Sequence, residues 1–315
     1  MGNDNLIRTC SIWRALEVIG DTPTLLILEA AFQGARRFDD FWRETRLLKA
    51  LLSDRLKKLV EAGVFERSLY QERPQRFLYR LTQKGCDVYP VALALLVWEK
   101  NWGAREAGAR SIRLTHKACG HDFEPVAACG SCGDDIDATA VDWREGPGVG
   151  WMAPLYSRRR QLRDSCGDGS LLFVEAAQLM GDRWAGLVLR SIFTGIRSFD
   201  GIRADTAMAT NILSERLQWL TARGIIRQAA AGGAGRHEYR LTRKGVAYYP
   251  ALLMLLVWGD RYYVSPEGPP LLLTHKSCGG PLKPVMACSR CRAPLDAREV
   301  HFELEADDGR LAEAV

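Results

Sequence analysis

The sequence predicts an α+β fold, with tandem winged helix-turn-helix domains that are each followed by a small zinc-ribbon-like module. Three observations predict this fold class. The chain of 315 residues contains the same pattern twice, each copy has helices and strands in the order of a winged helix, and each copy ends in Cys and His residues at metal-ligand spacing.

The repeat appears as short motifs that align between the two halves of the chain. The aligned motifs are Gly20-Asp21 with Gly181-Asp182, Ser53-x-Arg55-Leu56 with Ser214-x-Arg216-Leu217, and Tyr79-Arg80-Leu81-Thr82 with Tyr239-Arg240-Leu241-Thr242. Each unit is close to an ordinary domain in size, which indicates a tandem duplication and not a solenoid of short repeats. The predicted segments are a winged helix at 8–103, a tail module at 111–145, a linker at 146–164, a second winged helix at 165–263 and a second tail module at 270–305.

The first copy is predicted to fold as helices followed by a β-hairpin. Apolar residues at helical spacing predict helices over residues 11–19, 24–33, 38–44 and 47–62, with Gly34 and Gly63 as stop signals. Two strands, 64–70 and 77–81, flank a polar loop in which Pro74 interrupts the strand pattern. In this order of elements, the helix over 47–62 enters the DNA major groove and the hairpin touches the backbone beside it.

Composition is typical of a soluble globular protein, with 47% hydrophobic and 26% charged residues. The N-terminal residues lack a signal-peptide pattern, and the apolar stretches near 88–98 and 247–258 are too short to span a bilayer. We therefore expect a cytoplasmic protein without a membrane partner, and the odd total of 9 Cys also suits a reducing compartment. A net charge of +5 permits binding to nucleic acid but is weak evidence for it.

The metal prediction depends on an H-x2-C-x9-C-x2-C array that occurs twice. The candidate ligands are His116, Cys119, Cys129 and Cys132 in the first array and His275, Cys278, Cys288 and Cys291 in the second. Four such ligands in two close pairs can surround one Zn²⁺ tetrahedrally, so each array predicts one structural zinc and the chain two. The alternative is free thiols or disulfides, which would give no reason for the His to recur. His121 is a poorer candidate because its counterpart is Gly280.

Several motifs together resemble the HxlR family of bacterial winged-helix transcription regulators. They are Cys10-x-x-Trp-x-x-Leu-x-x-Ile-Gly20, Thr24-Leu-Leu-Ile-Leu28, Arg37-Phe38, Leu52-Ser-Asp-Arg-Leu-Lys-Lys-Leu-x-x-x-Gly63 and Tyr79-x-Leu-Thr-x-x-Gly85, with Met180-Gly-Asp-Arg-Trp184, Leu213-Ser-Glu-Arg-Leu-x-x-Leu-x-x-x-Gly224 and Tyr239-Arg-Leu-Thr-x-x-Gly245 in the second copy. The resemblance implies a regulator, which we expect to be a repressor, that binds double-stranded DNA. It also implies dimers on pseudo-palindromic operators, but this chain differs in holding two copies with a tail on each.

The duplication suggests an intrachain substitute for the homodimer. The predicted helices near 87–100 and 247–258 are apolar nearly all round, so they need burial on more than one side. Our hypothesis is that these two helices pack on each other within one chain, where the linker keeps their effective concentration high. The alternatives are that each helix is the core of its own domain, or that whole chains form a homodimer.

The candidate DNA-binding residues lie on the predicted recognition helices and wings. They are Lys49, Ala50, Ser53, Arg55, Lys57, Arg73 and Arg76 in the first copy, and Thr210, Asn211, Ser214, Arg216 and Arg236 in the second. Residues 46–63 carry five basic against two acidic side chains and residues 206–224 two against one, so phosphate attraction favours the first copy. Asn211 has the chemistry to pair with adenine. Arg55 and Arg216 suit either a phosphate contact or an internal salt bridge.

Two features outside these motifs have open interpretations. Cys10 and Cys166 each precede the first helix of their copy, where the family resemblance implies thiol sensing in some members, and the alternative is a small buried residue. The basic run 156–163 is interpreted as a solvated segment or a phosphate contact.

Two other functional classes compete with a DNA-binding regulator. Zinc centres filled by four protein ligands, together with a sequence without a Ser-His-Asp array or phosphate loop, predict that the protein is not an enzyme. The alternative function is a protein-interaction adaptor whose winged helices bind a protein partner.

Overall fold

In the computed structural model of the chain, the structure describes residues 6–104, 110–153, 172–230 and 237–306. The chain divides into two compact units, and each unit combines segments of both sequence repeats. Unit 1 comprises Met1–Asp21, Ala127–Gln161 and Leu179–Pro284, and unit 2 comprises Thr22–Val126, Leu162–Gln178 and Val285–Val315.

Unit 2 contains the winged helix of the first repeat. Its elements are α2 (Thr22–Phe32), α3 (Phe38–Thr45), α4 (Lys49–Glu61), the strands β2 (Phe65–Gln71) and β3 (Arg76–Leu81), and the helices α5 (Gln83–Cys86) and α6 (Tyr89–Trp102). The strands pair antiparallel with Phe65 opposite Leu81. Leu52, Leu56 and Leu59 form the buried stripe of α4, which is the face that the helical spacing predicts.

Unit 1 contains the winged helix of the second repeat, with the same order of elements. These are α8 (Arg183–Phe193), α9 (Phe199–Thr206), α10 (Thr210–Ala222), β9 (Ile226–Ala230), β10 (His237–Leu241), α11 (Arg243–Val246) and α12 (Tyr249–Tyr263). The pair β9–β10 is antiparallel with Ile226 opposite Leu241. The tandem winged helices and the mixed helix and strand content confirm the predicted fold class.

The short helices α5 and α11 follow from the Leu-Thr-x-x-Gly motif, although we did not predict them. The Thr82 and Thr242 side chains accept hydrogen bonds from the backbone N–H groups of Gly85 and Gly245 at 3.2 and 3.1 Å. Such a bond satisfies one of the free N–H groups at a helix start, so the threonine begins a new helix directly after the wing.

The first helix of the first repeat, α1 (Ser11–Ile19), packs in unit 1 against α8 and α12 of the second repeat. The Trp13 and Trp184 rings meet edge to face, with centroids 4.9 Å apart. Gly259 makes the close approach of α12 feasible, because a Cβ there would lie 2.2 Å from the Ser11 carbonyl oxygen. One of the sides on which α12 is buried is therefore covered by a helix of the other repeat.

The reciprocal segment of the second repeat belongs to unit 2. Helix α7 (Val174–Gly181) begins there, and the Glu99 carboxylate of α6 accepts hydrogen bonds from the backbone N–H groups of Glu175 and Ala176 at 3.1 and 2.7 Å. A carboxylate at a helix N-terminus satisfies free N–H groups and complements the helix dipole.

The two tails also exchange strands. The tail strands are β4 (Arg110–His116), β5 (His121–Asp122), β6 (Pro125–Cys129), β7 (Val141–Glu145), β11 (Leu271–His275), β12 (Pro284–Cys288) and β13 (Val300–Ala306), with a 3₁₀ turn at Ala138–Ala140. In unit 2, β4 of the first tail pairs antiparallel with β13 of the second, and His116 lies opposite Val300. In unit 1, β11 of the second tail pairs with β7 of the first, and His275 lies opposite Val141.

The predicted linker 146–164 begins with ordered structure. A strand, β8 (Trp151–Met152), pairs antiparallel with β1 (Ile7–Arg8) within unit 1. The basic run 156–163 lies outside the described residues. Among the helices that the structure describes, none has the length and apolar character needed to cross a membrane.

Asp260 of α12 is an acidic side chain placed largely out of water, where it accepts a hydrogen bond from the Ser11 hydroxyl of α1. Burial raises its pKa from 3.8 to about 6, although the Ser11 hydrogen bond acts in the opposite direction. The folded state therefore holds the proton more tightly than the unfolded state. Its contribution to stability is present below pH 3.8 and is lost as the pH rises through about 6.

We predict that Asp260→Asn stabilises the protein at pH 7.5 relative to the wild type by about 1–2 kcal/mol more than it does at pH 4.5, because the amide never ionises. Urea unfolding of both proteins at the two pH values measures this difference. Asp200→Asn is the matched control, since that side chain is 87% exposed. A stability gain that is equal at both pH values would contradict the assignment.

Candidate DNA interface and metal centres

The recognition helix α4 presents a polar face away from its buried leucines. Lys49, Ser53 and Lys57 are exposed at successive turns of the helix, and Ala50 is exposed beside Lys49. Residues four apart share one face of a helix, so these side chains form a continuous strip. A strip with two lysines can reach phosphates, and its first turn can reach base edges.

The charged side chains of α4 have local partners. The Lys49 ammonium lies over the Trp42 ring, 4.5 Å from its centroid. Lys57 has a weak, exposed contact with Glu61, 3.8 Å from nitrogen to oxygen. Asp54 instead pairs closely with Lys58 at 2.8 Å and with Arg55 at 2.5 Å. The Lys58 hydrogen bond holds the pKa of Asp54 below its ordinary value, although burial raises it.

The corresponding face of α10 carries no lysine. Thr210 and Asn211 are exposed in its first turn, and Ser214 is half-buried one turn later. Of the two alternatives for Arg216, the structure shows the internal salt bridge. The Arg216 Nε atom lies 2.6 Å from the Asp182 carboxylate, and both side chains are largely buried. Arg216 therefore has a partner within its own domain.

The wing of the first repeat is basic. Arg73 is exposed in the turn between β2 and β3, and Arg76 is exposed at the first position of β3. Next to them, the Arg67 guanidinium stacks on the Phe77 ring at 4.7 Å from the centroid. The tip of the second wing, with Arg236, lies outside the described residues.

The turn of each helix-turn-helix has a residue in the left-handed region. Arg46 has φ 51° after α3, and Ala207 has φ 53° after α9. This conformation ends one helix and redirects the chain within three residues, which aims the recognition helix outward. It is uncommon for residues other than glycine, and no glycine is present there to signal it in the sequence.

Two exposed apolar residues lie beside the recognition helix, and the sequence reasoning assigned neither to the DNA interface: it missed Trp42, and it wrongly placed Leu48 on the buried apolar stripe of the helix. Trp42 is 44% exposed and Leu48, the N-cap of α4, is 77% exposed. Their counterparts in the second repeat are Arg203 and Ala209. The signal available in the sequence was the pair Phe41 and Trp42. Adjacent residues of a helix point in different directions, so the two rings cannot both lie on the buried face of α3.

One candidate metal centre lies in unit 1. Cys129, Cys132, His275 and Cys278 place their ligand atoms within 4.8 Å of one another. The His275 Nδ1 atom is 3.3 Å from the Cys132 sulfur and 3.7 Å from the Cys278 sulfur. Cys129 and His275 are buried, so the centre has a dry inner side.

The second candidate centre lies in unit 2 and is formed by His116, Cys119, Cys288 and Cys291, again within 4.8 Å. The His116 Nδ1 atom is 3.2 Å from the Cys291 sulfur and 3.5 Å from the Cys119 sulfur. The sulfurs of Cys119 and Cys288 are 4.0 Å apart.

This arrangement corrects the predicted composition of the centres. We predicted that each array of four ligands closes on one zinc, but each centre combines the His-x2-Cys pair of one tail with the Cys-x2-Cys pair of the other. The physical reason lies in the nine residues between the pairs. They include most of the extended strand β6, which ends at Cys129 and advances by about 3.3 Å per residue, so it carries Cys129 away from the turn that holds His116 and Cys119.

Both sets of ligands fit a tetrahedral Zn²⁺. Ligand atoms about 2.0–2.3 Å from a shared zinc lie roughly 3.4–3.8 Å apart, and the quoted separations scatter around this range. A disulfide needs about 2.05 Å between sulfurs, and the eight described cysteines are all unpaired. The geometry therefore fits metal ligation and excludes the disulfide alternative for them.

Tight turns point the ligands into each centre. In the His-x2-Cys turns, the N–H groups of Gly120 and Gly279 donate to the carbonyls of His116 and His275 at 2.7 and 2.8 Å. Burial raises the pKa of Cys129, but backbone N–H groups directed at its sulfur, first those of Ser131 and Lys283, lower that pKa to about 6. The thiolate is the form that binds metal.

The remaining candidate residues lie outside these centres. His121 is exposed and belongs to neither set of ligands. Cys10 is buried at the N-terminus of α1, beside the guanidinium of Arg190. Its redox role stays a prediction, and Cys166 lies outside the described residues. Cys86 is buried, and its sulfur lies 3.8 Å from an Arg298 nitrogen.

The winged helices and their motifs identify the family of the chain. The chain matches the HxlR-like helix-turn-helix family over residues 18–107 and 179–267, more than half of its length. It belongs to this family. The metal-ligand tails lie outside both matched regions.

Similar proteins are regulators of about the size of one repeat. An uncharacterized HTH-type transcriptional regulator of Mycobacterium tuberculosis is 41% identical over 138 residues, which are 44% of this chain and 87% of that protein. One of Mycobacterium bovis matches to the same extent. One of Methanothermobacter thermautotrophicus is 33% identical over 107 residues, 34% of this chain and 80% of that protein.

The exchanged ligands predict opposite effects for two double variants. Cys119→Ser/Cys132→Ser removes one ligand from each centre, whereas Cys119→Ser/Cys291→Ser removes two ligands from the same centre. We expect about two zinc ions per wild-type chain, about one in the second variant and almost none in the first, since an incomplete site binds zinc weakly. Zinc retained in the presence of a moderate chelator is the measurement.

The two double variants are matched controls for each other, because each loses two thiols. Ligand sets confined to one tail would reverse the order, leaving about one zinc in Cys119→Ser/Cys132→Ser and almost none in the other variant. That order would refute the exchange.

Proposed function

We propose that this chain is a sequence-specific transcriptional repressor that binds double-stranded DNA through two unequal winged helices, which act as an intrachain pseudo-dimer. The observation that carries the DNA-binding role is the exposed strip of Lys49, Ser53 and Lys57 on the recognition helix of an HxlR-type domain. Such a strip supplies phosphate contacts beside base edges. Repression requires no further activity, because a protein bound at a promoter competes with polymerase.

Exchanged segments support the pseudo-dimer. In unit 1, α1 of the first repeat packs on α12 of the second, and both candidate metal centres take ligands from both tails. These are contacts that a homodimer of single-copy regulators would form between chains. The proposal includes packing of α6 on α12, and a homodimer of whole chains is its alternative.

Zinc is proposed to have a structural role in both centres. Three Cys and one His fill four coordination positions, which leaves none for water or substrate. The ligands His116 and His275 end the strands β4 and β11. A metal there would fix the ends of both ribbons and join the tails of the two repeats.

The two recognition helices are proposed to divide the work. Positions 49 and 57 are Lys in the first repeat and the matching positions 210 and 218 are Thr and Gln, so the first helix supplies more phosphate attraction. Position 50 is Ala whereas Asn211 of the second helix can donate to and accept from adenine. The proposed DNA contacts are Lys49, Ala50, Ser53, Lys57, Arg73, Arg76, Thr210, Asn211, Ser214 and Arg236, with Arg55 as a phosphate contact.

We predict that Lys49→Ala/Lys57→Ala weakens binding to all DNA sequences and lowers the slope of log K against log salt by about one per lysine, because each lost phosphate contact releases one fewer counterion. Titration of the promoter of the protein's own gene at several salt concentrations measures this slope. The wild-type slope also tests the proposed function itself, since a winged helix that binds a protein partner gives no steep dependence.

The matched control is Thr210→Ala/Gln218→Ala, which changes the same positions in the other repeat without removing charge. We expect its salt slope to equal that of the wild type. Equal losses of slope in both variants would contradict the proposed division of work.

A separate prediction concerns operator symmetry. If the two copies act as an intrachain pseudo-dimer, a single chain should protect two half-sites about one helical turn, roughly 34 Å, apart on one face of DNA, and these half-sites should differ in sequence. Asn211→Ala makes position 211 match Ala50, so selection at one or two base pairs of the second half-site should be lost, at about 1–3 kcal/mol. Selection from random DNA followed by footprinting tests this. A perfect palindrome occupied by two chains would refute the pseudo-dimer.

A further inference from the structure

An open cavity lies within unit 1, and the space between its walls, which includes solvent at the opening, is about 490 Å³. Its walls come from α8, α12, the β7–β11 ribbon and Ile12 of α1. None of the residues that line the cavity is a candidate metal ligand or a residue of α10.

The walls are mainly aromatic and aliphatic. The Phe193 and Tyr249 rings lie side by side, with centroids 4.8 Å apart and planes 38° apart. Trp143 of β7 is 39% exposed and lines the same cavity. Leucines of α12 and β11 complete the apolar surface. Three aromatic rings around one space favour a flat ring as occupant.

One cationic group lines this apolar space. The Arg190 guanidinium lies 2.5 Å from the Asp205 carboxylate, and its side chain is 11% exposed. Asp205 is shared, because the Arg8 guanidinium is also 2.5 Å from it. Burial lowers the pKa of Arg190, but Cys10 and Asp205 raise that pKa above its ordinary value, so the group stays charged. Arg8 also pairs with Glu145, so the charges of this cluster balance, and Arg190 is its cationic group at the wall of the cavity.

We propose that this cavity binds a small aromatic carboxylate, with its ring against Phe193 and Tyr249 and its carboxylate at Arg190. Guanidinium groups favour carboxylates through paired N–H donors, and a largely buried pair is screened little by water. The other end of the cavity is unsuitable for the acid, because it lies near the Asp137 carboxylate. The pKa of Tyr249 is raised first by the burial of its own ring and then by the charge of Asp137.

The first repeat differs from the second at the position that gives the cavity its cationic group. The counterpart of Arg190 is Glu29, a buried side chain whose carboxylate accepts a hydrogen bond from Gln33. A carboxylate there repels an acidic ligand. The proposal therefore gives one binding site per chain, although the neighbouring pair Phe32 and Tyr89 repeats the aromatic contact.

Calorimetric titration of the full chain with 2-naphthoate tests the proposal. We expect saturable binding of one molecule per chain, and at least a tenfold loss of affinity for the neutral isostere 2-naphthamide, because that probe lacks the charge for Arg190. No saturable binding would overturn the proposed site. Equal affinity for the two probes would overturn the proposed chemical class, and this comparison needs no protein variant.

Ala138→Leu places additional carbons in the cavity wall and should lower the affinity for 2-naphthoate at least tenfold. Its control is Ala297→Leu, the matching substitution in the second tail, where Asp296-Ala297 repeats Asp137-Ala138. We expect no change of affinity in the control. Unchanged affinity in Ala138→Leu, with zinc content and melting temperature as in the wild type, would overturn the location.

We also expect an occupant to change DNA affinity, an expectation that rests on the proposed function. Helix α8, which supplies Arg190 and Phe193, packs against the recognition helix α10. The DNA titration is repeated with saturating 2-naphthoate after binding has been measured without DNA. Loss of DNA binding in both conditions would speak against the proposed function alone, while unchanged DNA affinity on ligand saturation would overturn the regulatory role.

Discussion

The exchange of ligand pairs between the two tails is the constraint on which the arrangement of the chain depends. Each candidate centre needs a His-x2-Cys turn from one repeat and a Cys-x2-Cys turn from the other, and Cys119 meets Cys288 across 169 residues of sequence. A long loop costs only slightly more entropy to close than a short one. Structural zinc binding, of order 10 kcal/mol, is comparable to the whole stability of a domain. A filled pair of centres would therefore make the two repeats one cooperative fold.

The exchange between the repeats extends beyond the metal ligands to strands and helices within each unit. The ribbon β4–β13 joins the tails in unit 2 and the ribbon β7–β11 joins them in unit 1. At the N-terminal ends of the repeats, Trp13 of α1 packs on Trp184, and Glu99 receives the N–H groups that begin α7. Because each unit contains parts of both repeats, neither repeat buries its own core alone.

Local patterns in the sequence were enough to predict the winged helices but not the exchange. Leu52, Leu56 and Leu59 repeat at helical spacing, and Gly63 with φ 70° ends the helix, so the boundaries of α4 follow from neighbouring residues. The eight metal ligands were likewise found from their spacing. Their division between two centres depends on strand pairing, and β4 has the same polar pattern whether its partner is β7 or β13. Arg216 had two local explanations for the same reason, since its partner Asp182 is the N-cap of another helix, α8.

Duplication within one chain allows the copies to diverge at matching positions, which two identical chains in a homodimer cannot do. Lys49 of the first repeat aligns with Thr210 of the second, and Glu29 aligns with Arg190. The first difference lies on the exposed face of the recognition helix. The second lies in the buried part of each domain, where Arg190 lines the cavity of unit 1. A charge reversal in the interior is costly unless each side has its own partners, and here Arg190 has Asp205 while Glu29 accepts from Gln33 and from the backbone of Leu172. The two copies therefore keep one backbone architecture, while the side chains at matching positions, and their partners, differ between the copies. Such differences are the condition for one copy to provide affinity and the other selectivity.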